Sequence, residues 1–182
     1  MSPRAVVLVE GVSDRVALET LARRRDRDLA AEGVAVVPIG GAQAIGRFLR
    51  LYGTTDADVR LAGLCDAGEE RDFRRALERA GLGSGLDRAG MERLGFYVCD
   101  ADLEDELVRC LGAETMEQIL AARGILGSFR TYQKQPAHRT RPLEAQLHGF
   151  LHNWKVELAA ALVDALDLDR VPRPLEGVLS HV

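Results

Sequence analysis

Four short apolar runs, rich in β-branched residues, divide the first part of the chain. They cover residues 5–9, 34–39, 59–65 and 94–99. Each run is continuous rather than alternating, which is typical of strands buried on both faces of a parallel sheet. Between and after these runs, apolar residues recur at helical spacing. The predicted helices are residues 14–31, 42–51, 69–80 and 103–111. This order predicts an α/β fold with a mostly parallel sheet of about four strands and helices on both faces.

After the fourth run the strand pattern disappears, and the remaining sequence is predicted to be helical. Helical spacing covers residues 114–122 and 143–166, and a loop is expected at residues 136–142. The final stretch contains Pro172 and Pro174, and we expect it to be an extended tail packed on the domain.

The composition excludes several classes of protein. The 182 residues are 47% hydrophobic and 29% charged, which is ordinary for a folded protein. No apolar run approaches the roughly 18 residues that a membrane span needs, and the start has no signal-peptide core. The three cysteines are scattered, without the spacing of a zinc ribbon or disulfide framework. We therefore expect a cytoplasmic protein in a reducing compartment.

The net charge of −4 argues against a coat protein held on nucleic acid by bulk electrostatics. It remains compatible with an enzyme that takes its positive charge from bound metal ions. Two divalent ions would cancel the formal charge of the chain.

Acidic residues follow three of the four predicted strands. Glu10 follows the first run, Asp66 the third, and Asp102 and Glu104 lie just beyond the fourth. Ligands bind at the carboxyl ends of strands in open parallel sheets, so we expect these carboxylates to lie together. Like charges repel unless a cation lies among them, and carboxylate oxygens are the ligands that Mg²⁺ and Mn²⁺ prefer. The alternative interpretation is that these acids only cap helices.

Several of these segments resemble the TOPRIM domain. They are residues 7–14 (VLVEGVSD), 36–41 (VVPIGG) and 63–69 (GLCDAGE). The resemblance is closest to the TOPRIM domain of the overcoming lysogenisation defect (OLD) family of nucleases, which has a later acidic motif similar to residues 102–107 (DLEDEL). It implies a Rossmann-like catalytic domain at residues 1–112 that binds metal, with a C-terminal helical extension at residues 113–182 packed on the same domain.

The resemblance implies a first set of roles for acidic residues. Glu10 matches the TOPRIM glutamate, a metal ligand and a general acid or base. Asp14 matches a second acid of the OLD type, and Asp66 matches the first aspartate of the TOPRIM Asp-x-Asp pair. Gly68 stands where that pair has its second aspartate, which departs from the topoisomerase and primase pattern.

The remaining roles fall on residues later in the chain. OLD-type proteins use later acids for the second metal ion, which the resemblance assigns to Asp102 and Glu104. Lys155 matches a lysine on a C-terminal helix that stabilises charge developing on the phosphate.

The function implied is a divalent-metal-dependent nuclease that hydrolyses DNA phosphodiesters with Mg²⁺ or Mn²⁺, expected as two ions; RNA is not excluded as a substrate. OLD nucleases carry an ATPase domain, yet neither Lys134 nor Lys155 lies in the G-x-x-x-x-G-K-[ST] pattern of a phosphate-binding loop. The first alternative is therefore a non-catalytic module that binds nucleic acid or a separate ATPase partner. A second alternative is a receiver or phosphatase phosphorylated on Asp66. Association into a homodimer is left open.

Basic residues offer two further surfaces. Arg130, Lys134, Arg139 and Arg141 form a candidate surface for nucleic acid. The run of arginines at residues 23–27 is interpreted as a solvated helix face. His148 and His152 are four residues apart and are interpreted as a surface pair rather than as zinc ligands.

Overall fold

The apolar runs form a parallel sheet, as the sequence predicts. The computed structural model describes residues 3–53 and 59–182. Within these ranges four strands lie in the order β2-β1-β3-β4, and every neighbouring pair is parallel. The strands are β1 (Ala5–Val9), β2 (Val34–Pro38), β3 (Arg60–Cys65) and β4 (Phe96–Val98).

Helices connect the strands and then continue to the end of the chain. They are α1 (Val12–Arg24), α2 (Ile45–Gly53), α3 (Glu70–Arg79), α4 (Arg88–Arg93), α5 (Leu103–Ala122), α6 (Leu126–Lys134), α7 (Leu143–Leu151), α8 (Lys155–Asp164) and α9 (Arg173–His181). Short 3₁₀ turns lie at Ala42–Ala44, Ala67–Glu69 and Leu168–Arg170. Gly112 has φ 75° and ψ 161°, so it kinks α5 between the two predicted helices. None of the helices in the described ranges is long and apolar enough to cross a membrane.

The sheet separates two apolar cores, which confirms the prediction of helices on both faces. One core includes Val7 and Leu64 of the sheet together with buried residues of α1 and of the helices that follow β4. The other includes Leu8 and Phe96 of the sheet together with α2, α3 and α4. Phe129 and Leu162 belong to the first core, so the helices after Gly112 share their burial with the sheet.

Two predictions for the C-terminal part are wrong. Residues 143–166 are not one helix, because the chain breaks at residues 152–154 and α8 begins at Lys155. The break lets α7 pack on α5 while α8 packs on α1. The tail is not extended either: Pro172 precedes α9, and Pro174 lies in its first turn, where the missing N–H costs no helical hydrogen bond. The apolar pattern also failed to predict α4 and α6.

The basic run at residues 23–27 is not a solvated face, so that interpretation is wrong. The helix ends at Arg24 rather than at residue 31, and Asp26 has φ 56°. Arg24 then donates to the carbonyl oxygens of Val163 and Leu166 at 2.8 and 2.7 Å. Arg25 donates to the carbonyl oxygen of Leu168, and Arg27 to those of Leu179 and Val182. These arginines satisfy carbonyls at helix ends, which lack partners within their own helices.

Candidate active site

Two strand ends are joined directly by a carboxylate. Glu10 follows β1, and its Oε1 accepts a hydrogen bond of 2.9 Å from the backbone N–H of Asp66, which follows β3. Asp66 precedes a 3₁₀ turn, but its carboxylate accepts no capping hydrogen bond within the described residues. The helix-cap interpretation therefore does not account for Asp66, and its carboxylate is left beside Glu10.

Asp14 lies in the first turn of α1, four residues after Glu10. Its Oδ2 accepts a 2.8 Å hydrogen bond from the backbone N–H of Gly11. Burial raises the pKa of Asp14, and the negative charge of Asp102 raises it further, whereas Lys155 and the hydrogen bond from Gly11 lower it. Asp14 therefore both caps α1 and lies within the electrostatic reach of the other acids.

Asp102 begins α5 and has two partners. One oxygen caps the helix by accepting from the backbone N–H of Asp105 at 2.8 Å. Both oxygens also contact Nε2 of His148 on α7, at 2.7 and 2.9 Å. The interpretation of His148 as part of a surface pair is incomplete: its side chain is 37% exposed, but its ring also holds Asp102, whereas His152 is exposed and has no such contact among the described residues.

Glu104 and Lys155 form the far side of the cluster. Glu104 is 9% exposed, and burial raises its pKa, whereas the positive charge of Lys155 lowers it. Lys155 is the first residue of α8 and also lowers the pKa values of Glu10 and Asp14. A cation at the positive end of a helix is unfavourable by itself, so these carboxylates stabilise it there.

Two carboxyl groups have strongly raised pKa values. Burial, together with the charges of Glu69 and Asp14, raises the pKa of Glu10 to about 7. Burial, followed by the charges of Glu10, Asp14 and other acids of the cluster, raises the pKa of Asp66 to about 8. The cluster therefore holds more negative charge than Lys155 balances, and a bound cation would relieve it.

A divalent ion fits this donor set by its chemistry. The donors are carboxylate oxygens, which Mg²⁺ and Mn²⁺ prefer, and they are partly shielded from water. Among residues 3–53 and 59–182, however, no three carboxylate, imidazole or thiol groups already converge as one metal centre.

The comparison with protein families supports the resemblance seen in the sequence. Residues 3–67 match the model of the TOPRIM domain of overcoming lysogenization defect protein-like proteins. Over these residues the chain is similar to the OLD-like TOPRIM domain. No curated protein is significantly similar to it in sequence.

Solved structures extend the likeness in fold to nearly the whole chain. The C-terminal region of the Xanthomonas campestris pv. campestris OLD protein is 24% identical with a TM-score of 0.76, and the match covers 99% of this chain and 92% of that one. The C-terminal region of the Burkholderia pseudomallei OLD protein is 19% identical with a TM-score of 0.74, covering 100% and 97%. The helices that follow the OLD-like TOPRIM sheet are thus part of the shared fold.

Gly68 occupies an open position in this TOPRIM domain. It lies in the exposed turn Ala67–Glu69, and a Cβ built on it would meet no atom within 4 Å. The backbone and the space therefore admit a side chain where the TOPRIM pattern has its second aspartate. No neighbouring side chain fills that space.

Two acids near the TOPRIM site were misjudged or missed from the sequence. Glu106, within the segment at residues 102–107, is 7% exposed, accepts from the backbone N–H of Asp100 and pairs with Arg109. Glu69 adds its charge to the cluster, and its Oε2 accepts a 3.1 Å hydrogen bond from the backbone N–H of Ala42. Its position three residues after Asp66 was the available signal.

The basic surface predicted for nucleic acid is only partly available in the TOPRIM structure. Arg130 is engaged by Glu117 at 2.6 Å and by Gln133. Lys134, Arg139 and Arg141 are exposed. Their role in binding nucleic acid remains a prediction.

A large cavity of about 1190 Å³ lies away from the carboxylates. It is lined by Arg4, Gly33 and Val34, at the amino ends of the strands. The carboxylate cluster lies at the opposite edge of the sheet, so this cavity is separate from the candidate site.

Proposed function

We propose that this chain is a divalent-metal-dependent nuclease that hydrolyses phosphodiester bonds of DNA at the carboxylate cluster. The observation that carries the proposal is the electrostatic coupling of Glu10, Asp14, Asp66, Asp102 and Glu104 at one edge of the sheet near Lys155, where burial and mutual repulsion raise carboxyl pKa values. Perturbed titrations at a strand-end edge are a mark of functional sites. TOPRIM domains generally use divalent metals, which agrees with this donor set.

The residues present divide into two groups of ligands. Glu10, Asp14 and Asp66 would hold one ion, and Asp102 and Glu104 would hold a second, with Mg²⁺ or Mn²⁺ as the ions. Bound ions of this kind supply an activated water and stabilise the leaving oxygen in phosphoryl transfer. The hydrogen bond between His148 and Asp102 would orient the second group.

The chain's own residues would supply proton transfer and charge stabilisation. The pKa of about 7 for Glu10 belongs to the metal-free protein and would fall when an ion binds. A role for Glu10 as general acid or base therefore rests on the family resemblance. Lys155 lies at the amino end of α8, where its ammonium and the backbone N–H groups favour an anion. We therefore assign it to the phosphate whose charge increases during the reaction.

Two observations favour a second candidate, a non-catalytic module that binds nucleic acid or a separate ATPase. Gly68 replaces the second TOPRIM aspartate, and the described acids do not form a completed metal centre. Such a module would bind its partner without cleaving DNA.

The nuclease proposal is tested by incubating supercoiled plasmid with the purified chain and Mg²⁺ or Mn²⁺. Glu10→Gln and Asp66→Asn should each lower the nicking rate by more than about 100-fold, because direct ligands matter more than the outer partners whose loss costs 10–100-fold. Asp105→Asn is the matched control, since Asp105 lies in the first turn of α5 but pairs with Arg109. No nicking by wild type, or equal nicking by Asp66→Asn, would contradict the proposal.

A further inference from the structure

A basic groove lies on the sheet face opposite α1 and α8. It runs between α2 and α3 and has a volume of about 390 Å³. Its polar lining consists of Gln43, Arg47, Arg50, Asp72, Arg75 and Arg79. Four arginines thus face one aspartate in a chain whose net charge is −4. Among the described lining residues, positive charge therefore exceeds negative charge.

Three of these arginines lack the engagements that hold arginines elsewhere in the molecule. Arg24, Arg25 and Arg27 donate hydrogen bonds to backbone carbonyls, and Arg25 and Arg27 also form ion pairs. In contrast, Arg47, Arg75 and Arg79 form no ion pair with any residue in the described ranges. The guanidinium of Arg47 lies over the ring of Phe48, 4.9 Å from its centroid, which orients it without neutralising it.

The floor of the groove is made of small residues. Ala42, Gly46, Ala76 and Ala80 line it together with Ile45, the one large apolar residue there, and Ile45 is buried in the core beneath. Such a floor offers no pockets for the apolar anchors of a partner helix. It does let a charged chain approach the guanidinium groups closely. This arrangement favours a polyanion with repeated charges over an amphipathic peptide.

The spacing of the arginines suits repeated phosphates. Arg75 and Arg79 are one helical turn apart on α3, about 6 Å along the axis. Arg47 lies across the groove on α2. A planar guanidinium can donate two parallel hydrogen bonds to one phosphate, so a row of arginines can follow a backbone.

The groove begins at the same edge of the sheet as the carboxylate cluster. Ala42, which lines the groove, donates its backbone N–H to Glu69, and the charge of Glu69 acts on Glu10. A strand leaving the cluster over the turn Ala67–Glu69 would therefore meet the open end of the groove.

We propose that the groove between α2 and α3 binds the phosphodiester backbone of the nucleic acid that is presented to the carboxylate cluster. The inference rests on the proposed function for the identity of the polyanion. Contacts of this kind position the substrate without reading its sequence. The groove is separate from the surface around Lys134, which lies on the other face of the sheet.

The test measures binding of a fluorescently labelled DNA duplex to the protein in EDTA. Fluorescence anisotropy gives the affinity at several salt concentrations. Arg75→Gln with Arg79→Gln should weaken binding about tenfold or more and reduce the slope of log K against log salt by about 2. Arg123→Gln with Arg170→Gln is the matched control: it removes the same charge from exposed residues on the other face. Circular dichroism establishes that each variant is folded.

The outcomes separate this inference from the proposed function. If the variant with Arg75→Gln and Arg79→Gln binds DNA with unchanged affinity and salt slope, the groove does not bind the DNA backbone and the inference is overturned. This result is also expected if the groove binds an acidic protein instead. An equal loss in the control variant would show only an effect of net charge and would overturn it too. If wild type does not nick plasmid but binding depends on Arg75 and Arg79, the groove stands and the nuclease proposal fails. If nicking requires Glu10 but DNA binding does not depend on Arg75 and Arg79, the nuclease proposal stands and the groove inference fails.

Discussion

Charged residues cluster at both ends of α1, and the fold stabilises the charges at the carboxyl end but destabilises those at the amino end. At the amino end, Glu10 and Asp14 lie among other buried acids, and their pKa values are raised. At the carboxyl end, Arg24 and Arg27 donate to backbone carbonyls of later helices and to Glu32. In the sequence, both clusters are only runs of charge.

The difference teaches how structural charge can be separated from functional charge. A buried charge that serves the fold has its hydrogen bonds filled by the fold itself, as with Arg24. A cluster that destabilises its own charged members has a cost that protonation or a bound cation offsets, as with Asp66. Removing a charge should therefore have opposite effects on stability at the two ends of α1.

The largest effect expected after loss of a direct ligand is that of His148→Ala. Loss of its contact with Asp102 should lower the nicking rate by about 10–100-fold, as for residues that orient metal ligands. His152→Ala is the control, because His152 is exposed one turn further along the chain. Steady-state nicking at several Mn²⁺ concentrations measures the effect, and equal rates for the two variants would exclude His148 as a positioning residue.

At the carboxyl end of α1, Arg24→Ala should destabilise the protein. It leaves the carbonyls of Val163 and Leu166 without their donor, and we expect a loss of about 1–3 kcal/mol in the free energy of unfolding. Arg23→Ala is the matched control, since Arg23 is exposed and bonds only to Thr20 among the described residues. Urea denaturation measures the free energy of unfolding of both variants. Equal values would show that the hydrogen bonds of Arg24 do not stabilise the protein.

At the amino end, Asp66→Asn should stabilise the metal-free protein. The pKa values of Glu10 and Asp66 are about 7 and 8 in the folded state, against ordinary values of 4.5 and 3.8. The folded protein therefore binds more protons, so its stability is greatest below about pH 4 and falls as the pH rises towards 8. At pH 8 the variant should melt about 2–4 °C above wild type.

The control for this prediction is the same comparison at low pH. Wild type and Asp66→Asn should differ little near pH 4, where the carboxyl of Asp66 is protonated in the folded state. Calorimetric melting across this pH range measures the slope for each protein. A wild-type melting temperature that rises between pH 5 and pH 8 would contradict the sign.

The smallest effect on stability is expected for Gly68→Asp. The added side chain meets open space, so the free energy of unfolding should change by no more than about 0.5 kcal/mol. The new carboxylate would complete the TOPRIM pair and should tighten Mn²⁺ binding. Gly68→Asn controls for the shape of the side chain, and equal affinities for the two variants would show that the position does not contact metal.

The sequence predicted those features that rest on local pattern. Continuous apolar runs marked all four strands, and acids at strand ends pointed to Glu10, Asp66 and Asp102. The break before Lys155 and the helix α9 follow from packing against distant elements, which apolar spacing cannot reveal. The contact of His148 with Asp102 spans 46 residues, and that of Arg24 with Val163 spans 139. No local signal distinguishes such partners from surface charges.

The central claim is that the acids around Glu10 and Asp66 form a binding site for divalent metal ions. Isothermal titration of Mn²⁺ into wild type, Asp66→Asn and Asp105→Asn at pH 8 tests it most directly. We expect wild type and Asp105→Asn to bind Mn²⁺ with release of protons, and Asp66→Asn to bind it much more weakly or not at all. Absence of binding by wild type, or equal binding by all three proteins, would contradict it.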